Sequence, residues 1–185
     1  MKTMVGTPEA LPETAAPTMQ SYGMPAKVLH WLTAVLVLAM IACGVIAKQL
    51  GEGAVADTLM SLHKLTGVLT LAIVVVRLLY RVFSAVPQWT LQSRRHPALH
   101  WTLYAIVITV PLLGWAGISD FGAREVAFGI VLPPIWPEGA GYDEILLRVH
   151  AYAAFCLLAL VAFHIGAAIQ DTMTAGQPRG TQDPK

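Results

Sequence analysis

The chain has 185 residues, 56% hydrophobic and only 12% charged, with a mean hydropathy of +0.61. An ordinary soluble domain carries about 25% charged residues, and the apolar residues here are gathered into long blocks, so the expected solvent is lipid. The net charge of +1 offers nucleic acid nothing to bind. The length suits one helical bundle without a second domain.

Residues 1–20 are rich in Ala, Pro, Thr and Glu, lack an apolar period, and read as a disordered extension. They do not form a signal peptide pattern, so the first apolar block is expected to serve as an uncleaved insertion signal. Four apolar blocks follow, at 28–47, 62–79, 99–118 and 146–169, each near the ~20 residues a bilayer crossing needs. The third contains Pro111, expected to kink it. A short loop (48–57), a basic loop (81–96) and a longer Gly- and Pro-rich loop (120–143) connect them, the last predicting a partly ordered cap. The tail 174–185 reads as flexible, which leaves 21–173 as the membrane domain.

Charge orients the bundle. Lys2, Lys27, Arg77, Arg81, Arg94, Arg95, Arg179 and Lys185, eight of the twelve basic residues, fall on one side. Lys48, Lys64, Arg124 and Arg148 fall on the other. The positive-inside tendency then predicts both termini in the cytoplasm.

Four histidines stand in or at the edge of the apolar blocks: His30, His63, His150 and His164. A polar ring in that setting is costly and usually has a function. His150 and His164 are fourteen residues apart on one helix, which is about 21 Å of rise and a return to within about 40° of the same direction. With the topology above, His30 meets His164 near the cytoplasm and His63 meets His150 near the outer surface. Two imidazoles per iron give a six-coordinate centre suited to electron transfer. Taken singly, each histidine reads as an interfacial residue; the matched depths favour two b haems. No Cys-x-x-Cys-His occurs, which excludes covalent haem attachment, and Cys43 and Cys156 read as small packed hydrophobes. His96 and His100 have no counterparts expected at their depth and read as interfacial anchors beside Trp101. Gly44, Gly67, Gly114, Gly117 and Gly166 admit close approach of a macrocycle or a helix equally well.

Several short motifs carry a family resemblance: His30-Trp31, His63-Lys64-x-x-Gly67, Arg77 and Arg81, Pro111-Leu-Leu-Gly-Trp115, and the pair His150 and His164. Over residues 22–172 the chain resembles the bacterial cytochrome b561 family of di-haem inner-membrane cytochromes. The resemblance implies an all-α membrane protein, a four-transmembrane-helix bundle enclosing two b haems, with His30, His63, His150 and His164 as axial ligands. One member type is a superoxide oxidase that passes electrons from periplasmic superoxide to ubiquinone. By that likeness, Lys64 and Arg148 line a cationic approach to the outer haem, joined by Arg124 if the outer loop folds back. Pairing with haem propionates fits Lys64 and Arg148 equally well. The alternative function is an electron-transfer subunit that links a partner dehydrogenase or hydrogenase to the quinone pool. Trp115, Trp136, His96, His100 and Arg81 are candidates for the quinone site.

Overall fold

The computed structural model describes residues 24–83 and 97–175. Among them are four helices long and apolar enough to cross a membrane: α1 (Met24–Leu50), α2 (Ala54–Phe83), α3 (Pro97–Phe121) and α4 (Asp143–Ala175). All four overrun the expected spans. The 33 residues of α4 make a rod of about 50 Å, longer than a ~30 Å hydrocarbon core, so its ends stand in the aqueous interface. Thr174 and Ala175, expected in the flexible tail, are helical for that reason. The Thr174 hydroxyl donates to the Gln170 carbonyl one turn back, at 3.0 Å. Helix α3 runs on through Pro111.

The loop expected over 48–57 shrinks to Gly51-Glu52-Gly53. Both glycines adopt positive φ, +75° and +130°, a backbone region that a side chain disfavours. So tight a link makes α1 and α2 antiparallel neighbours. Helices α3 and α4 form the second hairpin, and the two hairpins touch each other much less closely than their own helices do. His30 near the start of α1 faces His164 near the end of α4, so the start of α1 and the end of α4 lie at one end of the bundle, called here the termini end.

Polarity is inverted relative to a soluble bundle. Trp31, Val35, Phe155 and Phe163 stand exposed on the outside, as lipid-facing side chains do. Inside, Val37, Val74, Val107 and Leu157 form the buried core, one residue from each helix. Leu157 lies seven residues from both His150 and His164. The core is thus an apolar layer midway between the two histidine depths. The helices are not wholly apolar within, but the hydroxyls of Thr33, Thr70 and Ser119 donate to carbonyls one turn back in their own helices.

The 122–142 segment forms the opposite, cap end. Leu132 N–H donates to Arg124 and Val126 N–H to Ile130, at 3.0 and 2.8 Å, around a 3-10 turn at Ala127–Gly129. The cap is stapled to α3. The buried carboxylate of Asp120 accepts the N–H groups of Gly141 and Tyr142 at 3.1 and 2.6 Å, and its main-chain carbonyl accepts Gly139 N–H at 2.9 Å. Ser119 Oγ accepts Ile135 N–H at 3.3 Å, and Trp115 Nε1 donates to the Pro133 carbonyl at 2.9 Å. These bonds set where α4 begins, and hence the depth of His150.

Asp120→Ala leaves two N–H groups without their charged acceptor, a loss of about 2–3 kcal/mol. The expected result is a lowered thermal midpoint in detergent with faster proteolysis inside 122–142. Wild-type behaviour in both measurements would mean that the carboxylate does not hold the cap.

Candidate cofactor sites

Imidazoles meet at two depths. At the cap end the ring centroids of His63 and His150 are 5.8 Å apart with planes at 89°. At the termini end those of His30 and His164 are 6.3 Å apart at 70°. Both pairs cross from one hairpin to the other, from α2 to α4 and from α1 to α4.

The cap-end pair has a matched support on each hairpin. His63 Nδ1 donates to the Met40 carbonyl at 2.8 Å, and His150 Nδ1 donates to the Val110 carbonyl, also at 2.8 Å. A carbonyl only accepts, so in both rings Nδ1 carries the proton and Nε2 keeps a free lone pair. Four residues beyond each carbonyl comes a glycine. A Cβ on Gly44 would stand 2.8 Å from His63 Nδ1, and one on Gly114 would stand 3.0 Å from His150 Nδ1. The missing side chains therefore admit the imidazole edges to the main chain. Of the other flagged glycines, Gly117 admits Leu147, whose Cδ2 would lie 2.7 Å from an added Cβ, and Gly67 faces Met40 Sδ at 3.4 Å. Gly166 faces open space.

The termini end is built differently. His30 Nδ1 is buried with no hydrogen-bond partner among the described residues. His100, expected to have no counterpart at its depth, stands with its ring 5.3 Å from that of His164. The α2 and α3 helices also meet here, where the Arg77 guanidinium lies 5.4 Å from the centre of the Tyr104 ring, within cation–π range. His96 and the Arg81 side chain lie outside the described residues.

The three cations expected to line the approach, Lys64, Arg148 and Arg124, are each engaged. Lys64 Nζ reaches from α2 to the cap, donating to the Ala123 carbonyl at 3.2 Å and to that of Glu125. Arg148 pairs with Glu144 one turn back on α4, and both side chains are exposed. The cap does fold back over α2, but Arg124 is occupied by Glu138 at 3.3 Å and the Leu132 carbonyl at 3.1 Å. Trp115 on α3 donates to the cap, and Trp136 within the cap stands edge-on to Tyr142 at 6.1 Å. Cys43 and Cys156 are free thiols.

The donors suit a b haem. With metal–nitrogen bonds of ~2.0 Å and about 1.1 Å from nitrogen to ring centre, two imidazoles gripping one metal have centroids roughly 6 Å apart. The pairs at 5.8 and 6.3 Å bracket that separation. At the cap end, both Nδ1–H groups are already used, which is the usual condition of a metal-ligating histidine. At the termini end the separation fits, while His30 Nδ1 lacks, among the described residues, the outer partner that its counterparts have at the cap end.

Gly44→Ala pushes the His63 ring off its carbonyl. The expected loss is about 10–100-fold in haem affinity at the cap end, the usual effect of removing such outer support. Absorbance titration with haem checks this, and the termini-end affinity should not move. A cap-end affinity equal to that of the unsubstituted chain would dismiss the role given to Gly44.

Comparison with known proteins agrees with the geometry. The profile of the prokaryotic cytochrome b561 family matches residues 21–174. Over 161 residues, covering 80% of this chain and 82% of the relative, the sequence is 28% identical to cytochrome b561 homolog 2 of Escherichia coli strain K12. A match along nearly the whole bundle places this chain in the prokaryotic cytochrome b561 family of b-haem membrane electron-transfer proteins.

Proposed function

We propose that this chain binds two b haems and passes single electrons across the bacterial inner membrane, from superoxide at the cap face to ubiquinone, with both termini in the cytoplasm. The observation that carries the reading is the pair of imidazole couples at two depths, separated by the apolar layer of Val37, Val74, Val107 and Leu157. His63 and His150 would hold one haem, and His30 and His164 the other. The bound haems would supply one-electron transfer, the chemistry of the cofactor rather than of any side chain.

The chain's own residues do the rest. Two superoxide anions each give up one electron and leave as dioxygen, while one quinone takes two electrons and two protons. Lys64 and Arg148 belong to the first half. Lys64 follows His63 directly; its hydrogen-bond acceptors are main-chain carbonyls, and the nearby Glu125 carboxylate tempers its charge. A fixed cation raises the encounter rate of an anion in a salt-dependent way. Arg148 adds a second charge two residues before His150, tempered by Glu144. The apolar layer keeps water and ions from following the electron.

A specific observation favours a second reading, an electron-transfer subunit that receives electrons from a docked dehydrogenase or hydrogenase. Phe128 at the tip of the cap is 89% exposed, in a positive-φ conformation (+66°) unusual for a bulky residue, next to exposed Ile130 and Val131. The purified chain separates the readings. Fast haem reduction by superoxide, slowed at high salt, supports the oxidase; reduction only after a partner is added supports the subunit.

Two sets of variants test the site. His150→Ala should remove the cap-end haem and spare the other, and His164→Ala should do the reverse, read as one haem per chain by reduced-minus-oxidised spectra. A folded chain that loses both haems from either change would refute the pairing. Lys64→Glu should slow superoxide oxidation by about tenfold at low salt with haem content unchanged. An unaltered rate would remove Lys64 from the substrate path.

A further inference from the structure

The two ends of the bundle support their histidines by different means. At the cap end α3 supplies the Val110 carbonyl to Nδ1 of His150 on α4. At the termini end, neither His30 nor His164 hydrogen-bonds a main-chain carbonyl among the described residues. There α3 instead places the His100 ring against His164 of α4, at 5.3 Å with planes at 83°. His164 is thus flanked by two imidazoles, His30 from the other hairpin and His100 from its own.

The two separations fit different bonds. Rings gripping one metal have centres roughly 6 Å apart, which suits His30 and His164 at 6.3 Å. Rings joined by an N–H···N bond of about 2.9 Å, with ~1.1 Å from each nitrogen to its ring centre, have centres about 5.1 Å apart. His100 and His164 at 5.3 Å lie near that value. His100 is also on the same helix as Val110 and stands against the same neighbour, α4.

We propose that His100 is a positioning residue for His164: a His100 ring nitrogen accepts the Nδ1–H of His164 and orients its Nε2 toward the haem. This rests on the reading of His30 and His164 as a ligand pair. An acceptor on the far nitrogen makes a ligating imidazole more basic, which favours the oxidised metal and lowers the reduction potential. The cap-end acceptors are backbone and the same whatever residue stands at 40 or 110. The termini-end acceptor is a side chain, so the potential of that haem is open to tuning by substitution.

The test is a redox titration of the full purified chain in detergent, with EPR of the oxidised haems. His164→Ala first identifies which signal belongs to the termini end. His100→Phe keeps a ring and removes the acceptor; His100→Gln keeps an acceptor. The expected result for His100→Phe is two haems retained and the termini-end potential raised. A tenfold loss of preference for the oxidised state reads as 59 mV for one electron. The EPR signal of that haem should shift, the cap-end haem should stay unchanged, and His100→Gln should return both readouts toward wild type. Unchanged potentials and EPR signals in His100→Phe overturn the proposal, even if quinone reduction slows. If His100→Phe loses the termini-end haem, His100→Gln decides: wild-type potential supports the proposal, and equal loss overturns it. Fewer than two haems in the unsubstituted chain is a separate failure, that of the ligand reading itself.

Discussion

An imidazole carried into hydrocarbon must satisfy both ring nitrogens, because no water is there to do so. That constraint organises this bundle. At the cap end, one nitrogen of each ring is bound to a main-chain carbonyl and the other is turned inward toward its opposite number. For a ring to reach a carbonyl within a helix, the neighbouring helix must lack a side chain one turn along, and Gly44 and Gly114 provide that. Helix–helix distance, imidazole tautomer and donor orientation all follow from the same two positions.

The hairpins also explain why the bundle is loosely joined in the middle. Each hairpin contributes its own histidine support, α1 to α2 through Met40 and α3 to α4 through Val110, and packs closely within itself. Between the hairpins the described contacts are fewer: one apolar layer, the histidine pairs at two depths, Arg77 over Tyr104, and Lys64 reaching to the cap. A bundle whose four helices packed equally well would leave no room above and below that layer. The division into two tight halves is what permits flat groups to be held between them, with histidine pairs reaching across at either end.

How much of this was legible in the sequence depends on the kind of signal. The four spans and the histidine depths were readable because apolar runs and a fourteen-residue spacing are local patterns with fixed geometric meaning. The glycines were visible but ambiguous. Only three-dimensional contact shows that Gly44 and Gly114 face imidazoles, Gly117 a leucine and Gly166 nothing. Gly44 and Gly114 are the two that share a depth with His63 and His150. Asp120 escaped notice because a carboxylate ending a span looks like any interfacial charge until the loop that it staples is seen. His100 has a counterpart that the sequence did not suggest, because the depth of α3 relative to α4 is fixed by packing and not by any pattern within α3, and that packing brings His164 beside it. The cations were legible as charges but not as partners, since their acceptors come from a loop without periodicity.

The contrast between the ends bears on direction. Main-chain carbonyls held in two continuous helices leave the cap-end rings little freedom, so their environment is set by the fold itself. At the termini end the surroundings of His30 and His164 are side chains: His100, and the layer where Arg77 lies over Tyr104. A positive guanidinium held within the span near one pair favours added negative charge there, and low dielectric strengthens that influence. The cap end holds Lys64 and Arg148, but in an interface that water and salt reach. Under the function proposed above, Arg77 would draw an electron toward the termini end and an acceptor on His164 would oppose it, so the potential there would be set by the balance of the two.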